Sequence, residues 1–269
     1  MKIIKSLIAV AALVFSTASI AASCADTNPL GQPKSEIKLM PICHTGYSVG
    51  YNASYLTPGW VAENLTRQNL DDKNAVRQND FRPDPTINPR YSASLKDYAR
   101  SGFDRGHMAP AEDFRKFPDQ MSESFYLSNM IPQNSENNRG IWAMVEKNTR
   151  YWANKYEQVL VVTGPIYYGG KSLGYAGRVP VPTHIYKIVY SPRENKGLAI
   201  ILPNMPVDKN MLKERFLEKD PSKKAQYDSE LQGIKTIAFA EKVTGINFFP
   251  KLDPSVKQTL PTDWMIFNR

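Results

Sequence analysis

The run GFDRGHMAPAEDF, residues 102–114, is the most informative part of this chain, because a short polar stretch combines an acid, a guanidinium and an imidazole. The neutral imidazole of His107 can take a proton from water near neutral pH, so an activity that uses it should rise with pH as the ring becomes neutral. The guanidinium of Arg105 suits a phosphate, which it can bind through two hydrogen bonds. Gly106 permits a close backbone approach that a side chain would forbid. The run therefore indicates chemistry on a phosphate.

The first 22 residues predict an export signal. Two lysines precede an apolar run over residues 7–15, and small residues end the segment at Ala22. The run is too short for a membrane anchor, so we expect cleavage after Ala22, a secreted or periplasmic location and no membrane attachment afterwards. Lipidation of Cys24 is the alternative, and it is disfavoured because a large aliphatic residue is usual three positions upstream.

The chain has two cysteines, Cys24 and Cys43. Two cysteines in an exported protein most often pair, so we expect a disulfide that ties down the N-terminal arm. Free thiols are the alternative, whereas a metal site is disfavoured because two cysteines supply too few ligands. His44 has no second histidine near it and is interpreted as an ordinary loop residue.

Charge and length favour a single basic domain. The chain has 34 Lys and Arg against 26 Asp and Glu, a formal net charge of +8 at pH 7. Such a balance suits a polyanionic partner, although it is also common on soluble proteins. We see no linker, repeat or low-complexity run, so residues 23–269 are expected to form one domain. A homodimer is left open.

Short apolar runs predict the strands of one sheet. Residues 46–66 mix aromatic and β-branched residues with turn residues, and three further runs are bounded by Gly, Pro or Asn. We expect central strands at residues 158–163, 185–190 and 198–202. Helices are expected at residues 210–217 and 235–243, the second ending at Gly245 as helices often do. The sum is an α+β domain.

Two further stretches extend the opening motif: FRPDP, residues 81–85, and FYLSNMIPQNSENNRGIWAMVEKNTRYW, residues 125–152. With DRGH, they resemble the DNA/RNA non-specific endonucleases, the family of the secreted bacterial nucleases and of mitochondrial endonuclease G. The resemblance continues more weakly through residues 161–170 and 241–252, so it covers most of the chain. It implies a central, largely antiparallel sheet flanked by helices, with a ββα-metal finger.

The resemblance also places the finger. Its first strand would end near His107, its second would be residues 125–131, and its helix would begin near Asn138. An apolar stripe of Ile141, Val145, Thr149 and Trp152 supports that helix.

The resemblance assigns a metal site to this helix. Asn138 would bind the ion directly, and Glu146 would act through metal-bound water. One anchoring oxygen with water and phosphate suits Mg²⁺, with Mn²⁺ as the alternative. From the residues alone, Asn138 could instead be a helix N-cap, and Glu146 could pair with Arg150 at i+4.

By the same resemblance, His107 would be the general base and Arg105 a phosphate contact. Asp104 would hold Arg105 or the loop, and Asn129 would support the site, with Gln133 as a weaker candidate. His184 is interpreted as structural, since it lies at an apolar strand.

A second substrate arginine cannot be assigned to one position. Arg82, in FRPDP, is a candidate for phosphate binding. Arg77 and Arg90 stay open beside it.

The function implied is an exported, Mg²⁺-dependent endonuclease that cuts DNA and RNA through their backbones, with little sequence preference. One alternative is a nucleic-acid-binding protein of the same fold without catalysis. The other is a phosphodiesterase acting on another extracellular phosphate ester.

Overall fold

The computed structural model describes residues 24–207, 231–261 and 264. The predicted signal peptide, residues 1–22, and the predicted helix at residues 210–217 lie outside this part of the chain. Within it, no helix is long and apolar enough to cross a membrane.

A seven-stranded antiparallel sheet forms the centre of the described chain. With labels in chain order, its strands from one edge to the other are β12 (Gly233–Lys235), β11 (Lys196–Pro203), β10 (His184–Ser191), β7 (Gln158–Ile166), β4 (Thr57–Thr66), β3 (Tyr47–Asn52) and β2 (Met40–Cys43). The predicted strands are confirmed, and the fold is α+β.

Three two-stranded pairs surround the sheet. They are β1 (Lys34–Ser35) with β13 (Ile246–Asn247), β5 (Asp104–His107) with β6 (Met130–Gln133), and β8 (Tyr175–Ala176) with β9 (Val179–Pro180).

The helices of the described residues are mostly short. They are α1 (Cys24–Thr27), α2 (Arg67–Asp71), α3 (Leu95–Tyr98), α4 (Pro118–Glu123), α5 (Ser135–Asn137), α6 (Ala143–Tyr156), α7 (Ile237–Thr244) and α8 (Pro254–Gln258). Single 3₁₀ turns occur at Pro89–Tyr91, Ala111–Phe114, Leu127–Asn129 and Tyr168–Gly170. The predicted helix at residues 235–243 is confirmed as α7, which ends at Gly245 in the left-handed region.

Alternation along the strands gives the sheet two buried faces. On β4, Val61 packs with α6 residues such as Trp152, whereas its neighbour Ala62 packs with Ile237 of α7. Both faces are apolar, so each is covered by helices.

The ββα arrangement expected around the opening motif is confirmed. β5 and β6 pair antiparallel with His107 opposite Met130, and the chain then enters the helical segment that ends with α6. The second strand, however, was predicted too early: residues 125–129 are not a strand, and β6 begins at Met130. The amide of Asn129 bonds to loop backbone instead, which favours a 3₁₀ turn over strand pairing.

A π turn, Asn138–Trp142, joins α5 to α6. The predicted apolar stripe on this helical segment is buried along its whole length. Such π turns interrupt the regular helix spacing and are frequent at functional sites.

The predicted disulfide is present between Cys24 and Cys43. It joins α1 to β2 and thereby holds the N-terminal arm against the sheet. Thr27 adds a hydrogen bond to Ser48 of 2.6 Å between side-chain oxygens.

Candidate active site

His107 ends β5 in a buried, aromatic setting. Its ring lies 5.0 Å from the ring centre of Phe125 and 5.6 Å from that of Phe81. The guanidinium of Arg77 lies 5.1 Å from the Phe125 ring, and that of Arg105 lies 4.2 Å from the Phe81 ring. The imidazole is thus flanked by two aromatic rings, each with an arginine beside it.

The electrostatics keep this histidine neutral. Burial, followed by the charges of Arg77 and Arg105, lowers the pKa of His107 to about 3. Its Nε2 atom is buried and has no hydrogen-bond partner among the described residues. A neutral imidazole with a free nitrogen can accept a proton. The rise of activity with pH that the sequence predicts for His107 should therefore occur below the neutral range.

The loop after His107 is held by a buried amide. The Asn129 side chain accepts a hydrogen bond from the Ala109 nitrogen at 2.9 Å and donates to the Ala109 oxygen at 2.9 Å. It also donates to the Ser124 oxygen at 2.8 Å. With its amide fully used, Asn129 shapes the loop and does not face a reactant.

The side chain of Asn138 is held by a hydrogen bond from its amide nitrogen, whereas its amide oxygen has no hydrogen-bond partner among the described residues. Its Nδ2 donates to Asp104 at 2.9 Å, and Arg139 grips the same carboxylate at 2.9 and 2.7 Å. No hydrogen bond involves Asn138 Oδ1 within the described residues. The N-cap of this helical segment is Asn134, which accepts from Asn137 N, so the N-cap alternative for Asn138 does not hold.

These contacts also show what Asp104 does. Burial alone would raise the pKa of Asp104, but hydrogen bonds from Arg139 and Asn138 bring this pKa below its ordinary value. The carboxylate therefore stays charged and ties β5 to the π turn. Arg139 was not singled out from the sequence.

Glu146 lies two turns along the helix from Asn138 and makes no hydrogen bond among the described residues. Burial raises its pKa to about 7, against the opposing charges of Lys187 and Arg150. The i+4 pair with Arg150 does not form, because Arg150 bonds to Asp113 at 2.7 Å. Glu146 is thus an unengaged carboxyl group that loses its proton near neutral pH.

Buried charges lie on the sheet beneath α6. Lys187 of β10 is fully buried, donates to the Thr163 hydroxyl at 2.7 Å and lies 5.6 Å from the Trp142 ring. On β4, burial and then Asp113 raise the pKa of Glu63 well above its ordinary value. A lysine inside the apolar run of residues 185–190 was the sequence signal for this layer, and sequence reasoning missed it.

The structure separates the three arginines that the sequence left open. Arg82 bonds to Asp80 and Ser122, and its guanidinium lies 4.2 Å from the centre of the Tyr126 ring, so its nitrogens already have partners in the protein. Its role as a phosphate contact stays a prediction. The guanidinium of Arg90 lies 5.7 Å from the centre of the Tyr91 ring. Arg77 is close enough to affect the pKa of both His107 and Glu146.

The other histidines have structural surroundings. His44 is buried and pairs with Asp84 at 3.0 Å. His184 begins β10 beside Thr183, with 3.1 Å between its Nδ1 and the hydroxyl oxygen.

Comparison with known proteins agrees with this geometry. Residues 26–255 match the model of a family described as DNA/RNA non-specific endonuclease. Similar proteins include "Nuclease EXOG, mitochondrial" of Danio rerio, 33% identical over 225 residues that cover 78% of this chain and 60% of that protein. "Nuclease C1" of Cunninghamella echinulata var. echinulata is 35% identical over 224 residues, which cover 78% of this chain and 82% of that protein.

A third relative, "Mitochondrial nuclease" of Saccharomyces cerevisiae, is 33% identical over 232 residues, covering 78% of this chain and 65% of that protein. The chain spans 60% or less of the length of the EXOG relatives. These names contradict the expected secreted or periplasmic location, because several relatives are mitochondrial nucleases. That expectation is withdrawn.

A solved structure shares the fold. The chain is 27% identical to a chain in "Crystal structure of the EndoG/EndoGI complex: Mechanism of EndoG inhibition", with a TM-score of 0.70. The match covers 86% of this chain and 93% of that chain.

Proposed function

This chain belongs to the DNA/RNA non-specific endonuclease family, and from this premise we propose that it is a divalent-metal-dependent endonuclease acting on DNA and RNA. The observation that carries the proposal is the buried, unpartnered Nε2 of His107, flanked through aromatic rings by Arg77 and Arg105.

His107 has the properties of a general base. A water molecule attacks phosphorus, the bond from phosphorus to the 3′ oxygen breaks, and His107 Nε2 takes the proton of the water. The low pKa of the free site keeps the imidazole unprotonated and ready, and the negative charge of a bound phosphate raises the basicity of the ring. The reaction leaves a 5′-phosphate end.

The arginines supply charge for the phosphate. Arg105 and Arg77 carry no ion pair among the described residues. Arg77 donates through Nε to Asn79 at 2.8 Å, which leaves its two terminal nitrogens to bind phosphate oxygens. Contacts of this kind read the backbone and not the bases, which accounts for activity on both DNA and RNA.

Asn138 and Glu146 fit a divalent cation. The hydrogen bond to Asp104 directs the amide nitrogen of Asn138 into the protein and leaves Oδ1 as a ligand, while Glu146 can accept hydrogen bonds from water around the ion. No cluster of three or more His, Cys, Asp or Glu residues in the described chain could hold a metal. A site with Asn138 as its direct protein ligand suits Mg²⁺, which retains water ligands, with Mn²⁺ as a substitute. Such an ion stabilises the charge on the leaving oxygen.

Plasmid cleavage tests the proposal. We expect the protein to nick and then linearise supercoiled DNA with Mg²⁺, to degrade RNA, and to lose both activities with a chelator. Binding without cleavage would favour a nucleic-acid-binding protein. Hydrolysis of small phosphate diesters, with intact plasmid and RNA, would favour a phosphodiesterase.

The metal anchor has a separate test. Asn138→Ala should fold and bind DNA at low salt but lose cleavage by about 100-fold or more, because the ion loses its direct protein ligand. Glu136→Ala, an exposed change two residues earlier, is the matched control and should cleave normally. Normal turnover by Asn138→Ala would place the ligand elsewhere.

A further inference from the structure

Two surface segments beside the finger share an unusual composition. They comprise residues 89–100, which include α3, and residues 168–178, which include the turn between β8 and β9. Large hydrophobic side chains are exposed at twelve positions of the described chain, and five of these fall in the two segments: Tyr91, Leu95, Tyr168, Leu173 and Tyr175. Exposed apolar groups concentrated in this way mark a binding surface.

The two segments that carry these exposed side chains are held together by several contacts. Arg178, in the β8–β9 turn, donates to Asp97 of α3 through two guanidinium nitrogens at 3.0 and 2.9 Å, and its backbone N–H donates to the same carboxylate at 3.1 Å. Gly177 has a φ of +57°, and a Cβ there would lie 2.6 Å from Asp97 Cα. The turn therefore rests directly on α3, and the two segments form one surface, which we term the hairpin platform.

The hairpin platform adjoins the candidate active site. Val179, which follows the turn, packs in one cluster with Met130, the strand partner of His107. Phe81 packs on the same cluster, and it carries the guanidinium of Arg105 on its ring. One layer of side chains thus separates the hairpin from the residues that would hold the reacting phosphate.

The charge of the hairpin platform is positive. Its two segments contain five basic residues and one acidic residue, Asp97, which is already bonded to Arg178. Lys96, Arg100 and Lys171 are exposed and form no ion pair within the described residues. Tyr168 and Tyr175 belong to the same segment as Lys171 and have 50% and 65% of their surfaces exposed.

Cations that bind phosphates, together with exposed aromatic rings that stack on bases, suit a single-stranded nucleic acid. A duplex offers its phosphates to such a surface but keeps its base faces stacked internally. We propose that the hairpin platform binds an unpaired stretch of the substrate next to the cleaved bond, with Tyr175 stacking on a base and Lys171 binding the backbone. The proposal rests on the proposed nuclease function and deepens it.

Binding measured in the presence of a chelator tests the proposal without catalysis. The probes are a fluorescently labelled single-stranded oligonucleotide and the duplex of the same sequence, followed by anisotropy. The variants are Tyr175→Ala and Lys171→Ala. Their matched controls are Tyr151→Ala on α6 and Lys34→Ala on β1, both exposed and outside the platform.

We expect Tyr175→Ala to raise the Kd for the single strand by about tenfold, the loss of roughly one stacked base, and to change the duplex Kd by less than about twofold. Lys171→Ala should weaken both complexes and reduce the slope of log K against log salt by about one. The controls should bind as the parent does.

Parent-like single-strand binding by Tyr175→Ala would overturn the proposal, and so would an equal loss for the duplex or the same loss in Tyr151→Ala. A surface made for a protein partner would give the first of these results. If the parent cleaves no nucleic acid, the nuclease function fails while the binding comparison still decides whether the platform holds single strands.

Discussion

At the level of single residues, burial shifts the pKa values of two titratable side chains in opposite directions. It lowers the pKa of His107 to about 3 and raises that of Glu146 to about 7. The histidine is therefore neutral throughout the neutral range and can accept a proton at any working pH. The carboxyl group instead changes its charge there, so Glu146 should control the pH dependence.

Glu146 gives a prediction with a defined direction. At limiting Mg²⁺, cleavage by the parent should rise with pH through about 7, because only the deprotonated carboxylate orients water around the ion. Higher Mg²⁺ should move the midpoint downward, since the positive charge of the nearby ion favours the deprotonated carboxylate of Glu146. We expect Glu146→Gln to keep part of its activity and to lose this rise, as measured by kcat/KM from pH 5.5 to 8.5. An unchanged profile in the variant would assign the titration to another group.

The sequence could propose several site residues because they stand in one short motif or one helix, and their roles stay predictions. His107 and Asn138 needed only the local run and the resemblance. The surroundings of Arg82 could not be predicted, because they depend on contact with Ser122, forty residues away. The grip of Arg139 on Asp104 likewise depends on how the π turn meets β5.

At the level of elements, the β5–β6 pair positions the site, and Gly106 allows β5 to pack closely against Gln133 of β6. A Cβ on Gly106 would lie 1.9 Å from Gln133 Oε1 and 2.7 Å from Gln133 Cβ. The glycine is thus required by the packing of its strand partner. Gly106→Ala should lower the free energy of unfolding by about 2 kcal/mol, within the usual range for overpacking.

A matched glycine lies nearby. A Cβ on Gly140, in the π turn, would meet nothing within 4 Å, so Gly140→Ala should be neutral or slightly stabilising in the same denaturant titration. In addition, Gln133→Ala should recover part of the loss when it is combined with Gly106→Ala. Equal effects of the two glycine substitutions would contradict the packing account.

Elements were predictable where the pattern was local. The buried runs of β7, β10 and β11 needed only their apolar residues and flanking turn residues. The start of β6 was misplaced because residues 125–127 are aromatic or aliphatic, yet only Tyr126 among them forms a bridge, an isolated one with Arg82. The side chain of Asn129, at the end of this stretch, bonds to the backbone of Ala109, which lies twenty residues earlier.

At the level of the whole molecule, the disulfide and the candidate site lie in different parts of the fold. The bridge closes a sequence separation of 19 residues and holds α1 beside β3 and β4. Replacing both cysteines by serine should lower the free energy of unfolding by about 3 kcal/mol through the lost loop constraint. Because His107 and Asn138 do not depend on the arm, plasmid cleavage by the folded variant should equal that of the parent.

Mass spectrometry of the unreduced protein should show no free thiol, and a reducing agent should lower the Tm of the parent but not that of the double variant. Two alkylatable thiols in the parent, or a loss of turnover at a temperature where the variant is folded, would contradict this separation of arm and site.

In the proposed mechanism, His107 removes a proton from the attacking water and takes no part in holding the metal. The most direct measurement is single-turnover cleavage of supercoiled plasmid by His107→Ala, with Mg²⁺ and DNA affinities determined on the same preparation. We expect the rate to fall by about 100-fold or more, the scale for a lost general base, with both affinities unchanged. Normal cleavage, or a loss explained by weaker Mg²⁺ binding, would contradict it.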